Sequence, residues 1–147
     1  MNYETYPWIE STGDLTTFHF VSEGPKGYIN KVIAFRPMED STVFNLAFGD
    51  AHPNGHVDDS IVTDNGDRDK ILATVAAAVN VFTKAYPDYW VFFTGRTKSR
   101  TRLYRMAVNK HLLELRQLYE IYTIINGQPV PFYRHLAVNS FLIRRKI

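Results

Sequence analysis

An apolar helix stripe runs directly into a strand with almost no polar face. Ile71, Val75, Val79 and Phe82 fall at i, i+4, i+8 and i+11 across Asp69–Tyr86. That spacing puts all four on one side of an α-helix. Pro87 stops the helix, and Asp67 sits where an N-cap belongs. Tyr89–Thr94 then follows as Tyr-Trp-Val-Phe-Phe-Thr. A strand apolar on both sides belongs in the middle of a sheet, covered from both faces. Helix and strand together therefore require a sheet with at least one helix packed against it.

The flanking segments supply the rest of that sheet. Thr16–Val21 alternates around Phe18 and Phe20, and the cluster Glu23-Gly24-Pro25-Lys26-Gly27 turns the chain. Tyr28–Phe35 and Thr42–Phe48 read as two more strands, giving an antiparallel meander. Gly49–Asp67 is a long polar loop, with a short strand expected at Ser60–Thr63. Beyond Gly95, Ser99–Tyr119 reads as a second helix with Tyr104, Val108, Leu112, Leu115 and Tyr119 on one face. Arg102, Arg105, Asn109 and Arg116 share another face. Ile121–Ile125, the turn Asn126-Gly127, an irregular stretch Gln128–Val138 and a last strand Ser140–Arg145 close the chain. The expected fold is a single α+β domain over residues 1–147, built on one mixed sheet. Its element order is β-β-β-α-β-α-β-β, with two main helices on the sheet.

Composition narrows the chemistry. The chain has no cysteine, which removes disulfides, thiolate catalysis and Cys-zinc sites, and suits a cytoplasmic location. Met1-Asn2-Tyr3-Glu4 has neither a basic nor an apolar leader region, so no signal peptide is expected. No apolar run approaches the roughly 18 residues of a membrane span.

Net charge is divided between the two halves. Residues 1–69 hold 4 Lys/Arg against 12 Asp/Glu, and residues 70–147 hold 13 against 3. Between positions 96 and 116, seven basic residues meet only Glu114. The strongest candidate site lies there, where the strand ends at Thr94 and the second helix begins. Gly95 allows a ligand close to the backbone. A hydroxyl at Thr97 or Ser99 can cap the helix and leave its free N–H groups facing outward. Arg96, Arg100, Arg102 and Arg105, with Lys98 between them, add guanidinium groups that grip phosphate or carboxylate in parallel pairs. Gly95, Arg96, Ser99, Arg100, Arg102 and Arg105 are thus the expected ligand-binding set. The competing possibility is internal neutralisation, with Arg102 reaching Asp58 or Asp59.

Two weaker constellations stand beside it. Asp50, His52, His56, Asp58 and Asp59 are metal-binding or acid–base residue types. Pro53 and Gly55 break any helix that would align the two histidines, so no metal site is expected. Tyr104 with Ser99, Thr101 and His111 places a phenol among arginines, but Tyr104 lies on the apolar stripe and reads as core. No catalytic residue set, metal or cofactor follows from these patterns, and enzymatic activity stays open.

The block Ala85-Tyr86-Pro87-Asp88-Tyr89-Trp90-Val91-Phe92-Phe93-Thr94-Gly95 carries a resemblance. So do Arg100-Thr101-Arg102-Leu103-Tyr104-Arg105 and Phe141-Leu142-Ile143-Arg144-Arg145-Lys146. Together they resemble an uncharacterised family of small bacterial proteins, a domain of unknown function; the resemblance implies no activity. A looser similarity is to the GCN5-related N-acetyltransferase (GNAT) fold, which shares the element order and a Leu-Tyr pair like Leu103-Tyr104. That similarity implies an acyl-CoA site. Its pyrophosphate loop would fall on Asp64-Asn65-Gly66-Asp67-Arg68-Asp69, where three carboxylates repel a pyrophosphate and leave the site degenerate.

The leading expectation is a non-enzymatic binding module for an anionic small molecule or an acidic protein segment. Nucleic acid is a weaker candidate, since no RNP-type signature is present. An acyltransferase-like enzyme is the first alternative. A homo-oligomer paired through strand edges at Thr16–Val21 or Ser140–Arg145 is the second.

Overall fold

A computed structural model of the protein describes residues 4–54, 57–58, 64–95 and 97–146. Its strands are β1 (Glu10–Ser11), β2 (Thr17–Gly24), β3 (Gly27–Pro37), β4 (Val43–Ala51), β5 (Val57–Asp58), β6 (Trp90–Thr94), β7 (Tyr119–Ile125), β8 (Gln128–Pro131) and β9 (Ser140–Arg145). Its helices are α1 (Arg68–Ala85), α2 (Lys98–Lys110) and α3 (Leu112–Leu118). The protein is α+β with one mixed sheet in the order β1-β2-β3-β4-β6-β9-β7-β8, and β5 pairs with β4 off that path. Setting aside the short strands, the element order is the one expected. The strand expected at Ser60–Thr63 lies outside the described residues. No described helix is long and apolar enough to cross a membrane.

Two boundaries differ from expectation for physical reasons. The second helix is split at His111, whose φ of −109° and ψ of 20° leave the helical region. The stretch after Asn126-Gly127 is a strand, not irregular. Pro129 and Pro131 stand opposite Ile124 and Tyr122 in β8, the outermost strand of the sheet, where a missing N–H is tolerated. β2 lies between β3 and the two-residue β1, which pairs only with Phe18 and His19, and β9 lies between β6 and β7.

The chain divides into two compact units, Met1–Arg36 with Leu46–Ala85, and Pro37–Asn45 with Tyr86–Ile147. In the first, β2 and β3 form a long antiparallel pair from Thr17↔Ala34 to Gly24↔Gly27. Of the α1 stripe, Val75, Val79 and Phe82 are buried with Ala78 beside them, Ile71 is half-buried, and Phe82 stacks on Phe35 at 4.3 Å. Thr74 and Thr83 are buried in the same helix because their hydroxyls return to the carbonyls of Lys70 and Val79.

Polar groups at the start of α1 are tied down. The hydroxyls of Tyr6 and Ser22 donate to Asp67 Oδ2. Asn65 donates to the Gly27 carbonyl and the Ser22 hydroxyl, and accepts from Lys26 N–H. Asp67 immediately precedes α1 as expected of a cap, and its carbonyl accepts from Ile71 N–H.

In the second unit, β6 with β9, β9 with β7 and β7 with β8 pair antiparallel. The first residues of β4 pair in parallel with β6 as Val43↔Trp90, Phe44↔Val91 and Asn45↔Phe92. Strand alternation sends Val91, Phe141, Ile143, Tyr119 and Ile121 into the core. Tyr104 of α2 meets Phe93 edge-on on this side, and Phe93 stacks on Phe141. The alternate residues Trp90, Phe92, Leu142, Arg144, Glu120 and Tyr122 are only half-buried. β6 is central in the sheet, as its apolar sequence requires, but its second face is not closed as its first is.

Candidate functional site

The junction between β6 and α2 is set by close packing at Gly95. A Cβ placed there would lie 2.2 Å from Thr101 N and 2.6 Å from the Arg100 carbonyl carbon. Only glycine lets the helix start this close to the strand. The Gly95 carbonyl accepts from the Thr101 hydroxyl at 3.0 Å, which fastens the first turn to the strand end. Thr97 is the cap: it is extended (φ −117°, ψ 160°) and its hydroxyl accepts from Arg100 N–H. The first helical bond runs from Thr101 N–H to the Thr97 carbonyl. The N–H groups of Lys98 and Ser99 are left outside the ladder, as at any helix start, and no acidic residue lies in this turn.

The arginines do not form a single cluster. Arg96 lies outside the described residues. At about 100° per residue, Arg100 and Arg102 project about 160° apart. Tyr104 and Val108 lie on the stripe between them. Arg100 is half-buried beside Tyr104. Burial raises the Tyr104 phenol above the usual tyrosine range, and the Arg100 charge pulls it part of the way back.

Lys98, Arg102 and Arg105 lie within about 60° of one another on the other flank. Lys98 and Arg102 are exposed and Arg105 is half-buried. Among the described residues these three make no ion pair. Lys98, which sequence reasoning left out of the candidate set, shares this flank. The signal was present in the i, i+4, i+7 spacing of positions 98, 102 and 105. Ser99 is exposed at the same helix start.

The weaker constellations are dispersed. Asp50 belongs to β4 and pairs with Lys31, whose side chain is only 1% exposed. Asp58 lies opposite Asp50 on β5, His52 is exposed, and His56 and Asp59 lie outside the described residues. Among the described residues no group of three or more His, Asp or Glu could hold a metal ion. Of the Tyr104 constellation, Thr101 is bonded to Gly95 and His111 occupies the break between α2 and α3.

A family model described as a family of unknown function (DUF6934) matches residues 2–146. No curated protein matches the chain. No solved structure matches it, and the acyltransferase likeness is thus not shown by any comparison.

Proposed function

The chain belongs to the DUF6934 family, whose function is unknown, and on that premise we propose that it is a non-enzymatic binding module for an anionic ligand. The ligand is a small anion or an acidic protein segment, held at the β6–α2 junction. One observation carries this reading: Lys98, Arg102 and Arg105 share a flank next to a helix start, without an ion pair among the described residues. The positive end of the helix and the two open N–H groups act in the same direction as these cations. Gly95 holds the helix start against the strand end, and Ser99 adds a hydroxyl at the same turn. Arg100, on the opposite flank, contributes charge at longer range, and Arg96 adjoins the same turn in sequence.

Amide chemical shifts test the proposal. Inorganic pyrophosphate and a short polyglutamate peptide serve as probes. Either should move the Lys98 and Ser99 amides, with affinity falling as salt rises. The pair Arg102→Glu and Arg105→Glu should weaken binding by about tenfold or more. The proposal fails if neither probe moves these amides at millimolar concentration, or if binding survives the charge reversal unchanged.

The acyl-CoA-dependent enzyme reading has less support. The α1 start, where a pyrophosphate would be bound, holds Asp67 bonded to Tyr6 and Ser22, with Asp69 in the first turn. A resident carboxylate disfavours a second anion there. Acetyl-CoA is expected to leave the Gly66 and Gly95 amides unmoved.

A further inference from the structure

The half-buried face of the second unit's sheet contains a cleft of about 420 Å³, lined by Asp40, Val43, Trp90, Tyr122, Leu142 and Arg144 among others. The cleft is half-open, with a mainly apolar lining. We infer that this cleft binds a small organic ammonium ion with a flat apolar body, the ammonium against Asp40 and the body along Trp90, Tyr122 and Leu142.

Sheet register builds the apolar wall. Leu142 is the Cα partner of both Phe92 and Tyr122, and Trp90 stands beside Val43. Trp90 and Tyr122 meet edge-on at 5.6 Å, and both line the cleft.

Charge selects the guest. The one cation of the lining, Arg144, is already compensated. Its guanidinium lies 4.3 Å over the Trp90 ring, and Glu120 Oε2 accepts from its Nε and Nη2 at 3.3 and 3.1 Å. An anion entering the cleft gains little from a guanidinium so engaged.

Asp40 is the opposite case. Thr42 donates to Asp40 Oδ1 through its N–H at 2.9 Å and its hydroxyl at 2.7 Å. Among the described residues Oδ2 makes no hydrogen bond. Those two donors hold the carboxyl below the usual aspartate range, so it is charged at neutral pH. The turn is also fixed in place. Trp90 N–H donates to the Thr42 carbonyl at 2.8 Å, and Val43 N–H to the Asp40 carbonyl at 3.0 Å. The carboxylate thus belongs to the cleft lining in a turn fixed by these bonds, and Oδ1 is the oxygen already engaged.

Three isosteric probes test the assignment: 2-phenylethylammonium, neutral 2-phenylethanol and anionic 3-phenylpropanoate. A Trp8→Phe background leaves Trp90 as the single indole to observe. The ammonium should shift the Trp90 indole N–H and the Leu142 methyls, and bind more tightly than either analogue. Asp40→Asn keeps an acceptor for Thr42 and should weaken the ammonium by about threefold, the scale of an exposed ion pair, while leaving the alcohol unchanged. Arg102→Glu with Arg105→Glu should leave ammonium binding intact, which separates this cleft from the anion site on α2. The inference is overturned if the alcohol or carboxylate binds the parent chain as well as the ammonium does. It is equally overturned if Asp40→Asn has no effect, or if no probe moves Trp90 at millimolar concentration.

Discussion

Replacing Gly95 by alanine should cost about 3 kcal/mol of folding stability. The new methyl would sit 2.2 Å from Thr101 N, 2.6 Å from the Arg100 carbonyl carbon and 2.7 Å from Thr101 Cα. All three atoms are backbone of the first turn of α2, so no side chain can rotate away. Ordinary contact begins at 3.4 Å, so the helix start would have to retreat by 3.4 − 2.2 = 1.2 Å. Overpacking of this kind costs about 1–3 kcal/mol. The retreat also stretches the bond from the Thr101 hydroxyl to the Gly95 carbonyl, a loss of about 1 kcal/mol. For a chain of this length, about 3 kcal/mol lowers Tm by about 6–12 °C. Urea denaturation followed by circular dichroism, with thermal melts beside it, measures the loss. Gly13→Ala is the control: nothing lies within 4 Å of its added methyl, and the change should stay within about 0.5 kcal/mol. If Gly95→Ala also stays within about 0.5 kcal/mol, the strand and helix are not locked together at this point.

Lys31→Met should destabilise the fold by about 3–5 kcal/mol, because it withdraws the buried cation from Asp50; adding Asp50→Leu should recover most of the loss in urea denaturation. Asp40 should titrate below the usual aspartate range in carboxyl carbon NMR, through the Thr42 N–H first and the Thr42 hydroxyl second. A depressed folded pKa adds stability above the unfolded aspartate pKa and loses it as pH falls through the folded value. Thr42→Val should therefore bring the Asp40 midpoint back toward the ordinary value, and an unchanged midpoint would mean that the hydroxyl has no influence on it.

Legibility followed the range of the interactions. The α1 stripe was visible because Val75, Val79 and Phe82 share a face through local geometry alone. Gly95 and the hydroxyl cap were visible for the same reason, although Thr97 rather than Ser99 fills the cap. β8 was hidden because Pro129 and Pro131 weaken any strand signal, and only their outermost place in the sheet makes them tolerable. Asp50 looked like part of a polar loop with His52. Its burial against Lys31, 19 residues earlier, depends on β3 and β4 lying side by side.

The chain's own periodicities and turn residues determine which segments coil, which extend and where a cation-rich helix begins after a glycine. They also determine that Lys98, Arg102 and Arg105 share a flank, since helical geometry acts within a few residues. Which strand lies beside which was decided only in three dimensions. The cleft combines Asp40, Trp90, Tyr122 and Leu142, drawn from four separated stretches of chain. Their meeting depends on the β4-β6-β9-β7 order. Pairing and burial are long-range choices that no short window of residues encodes, so a surface made of four strands exists only once the sheet has assembled.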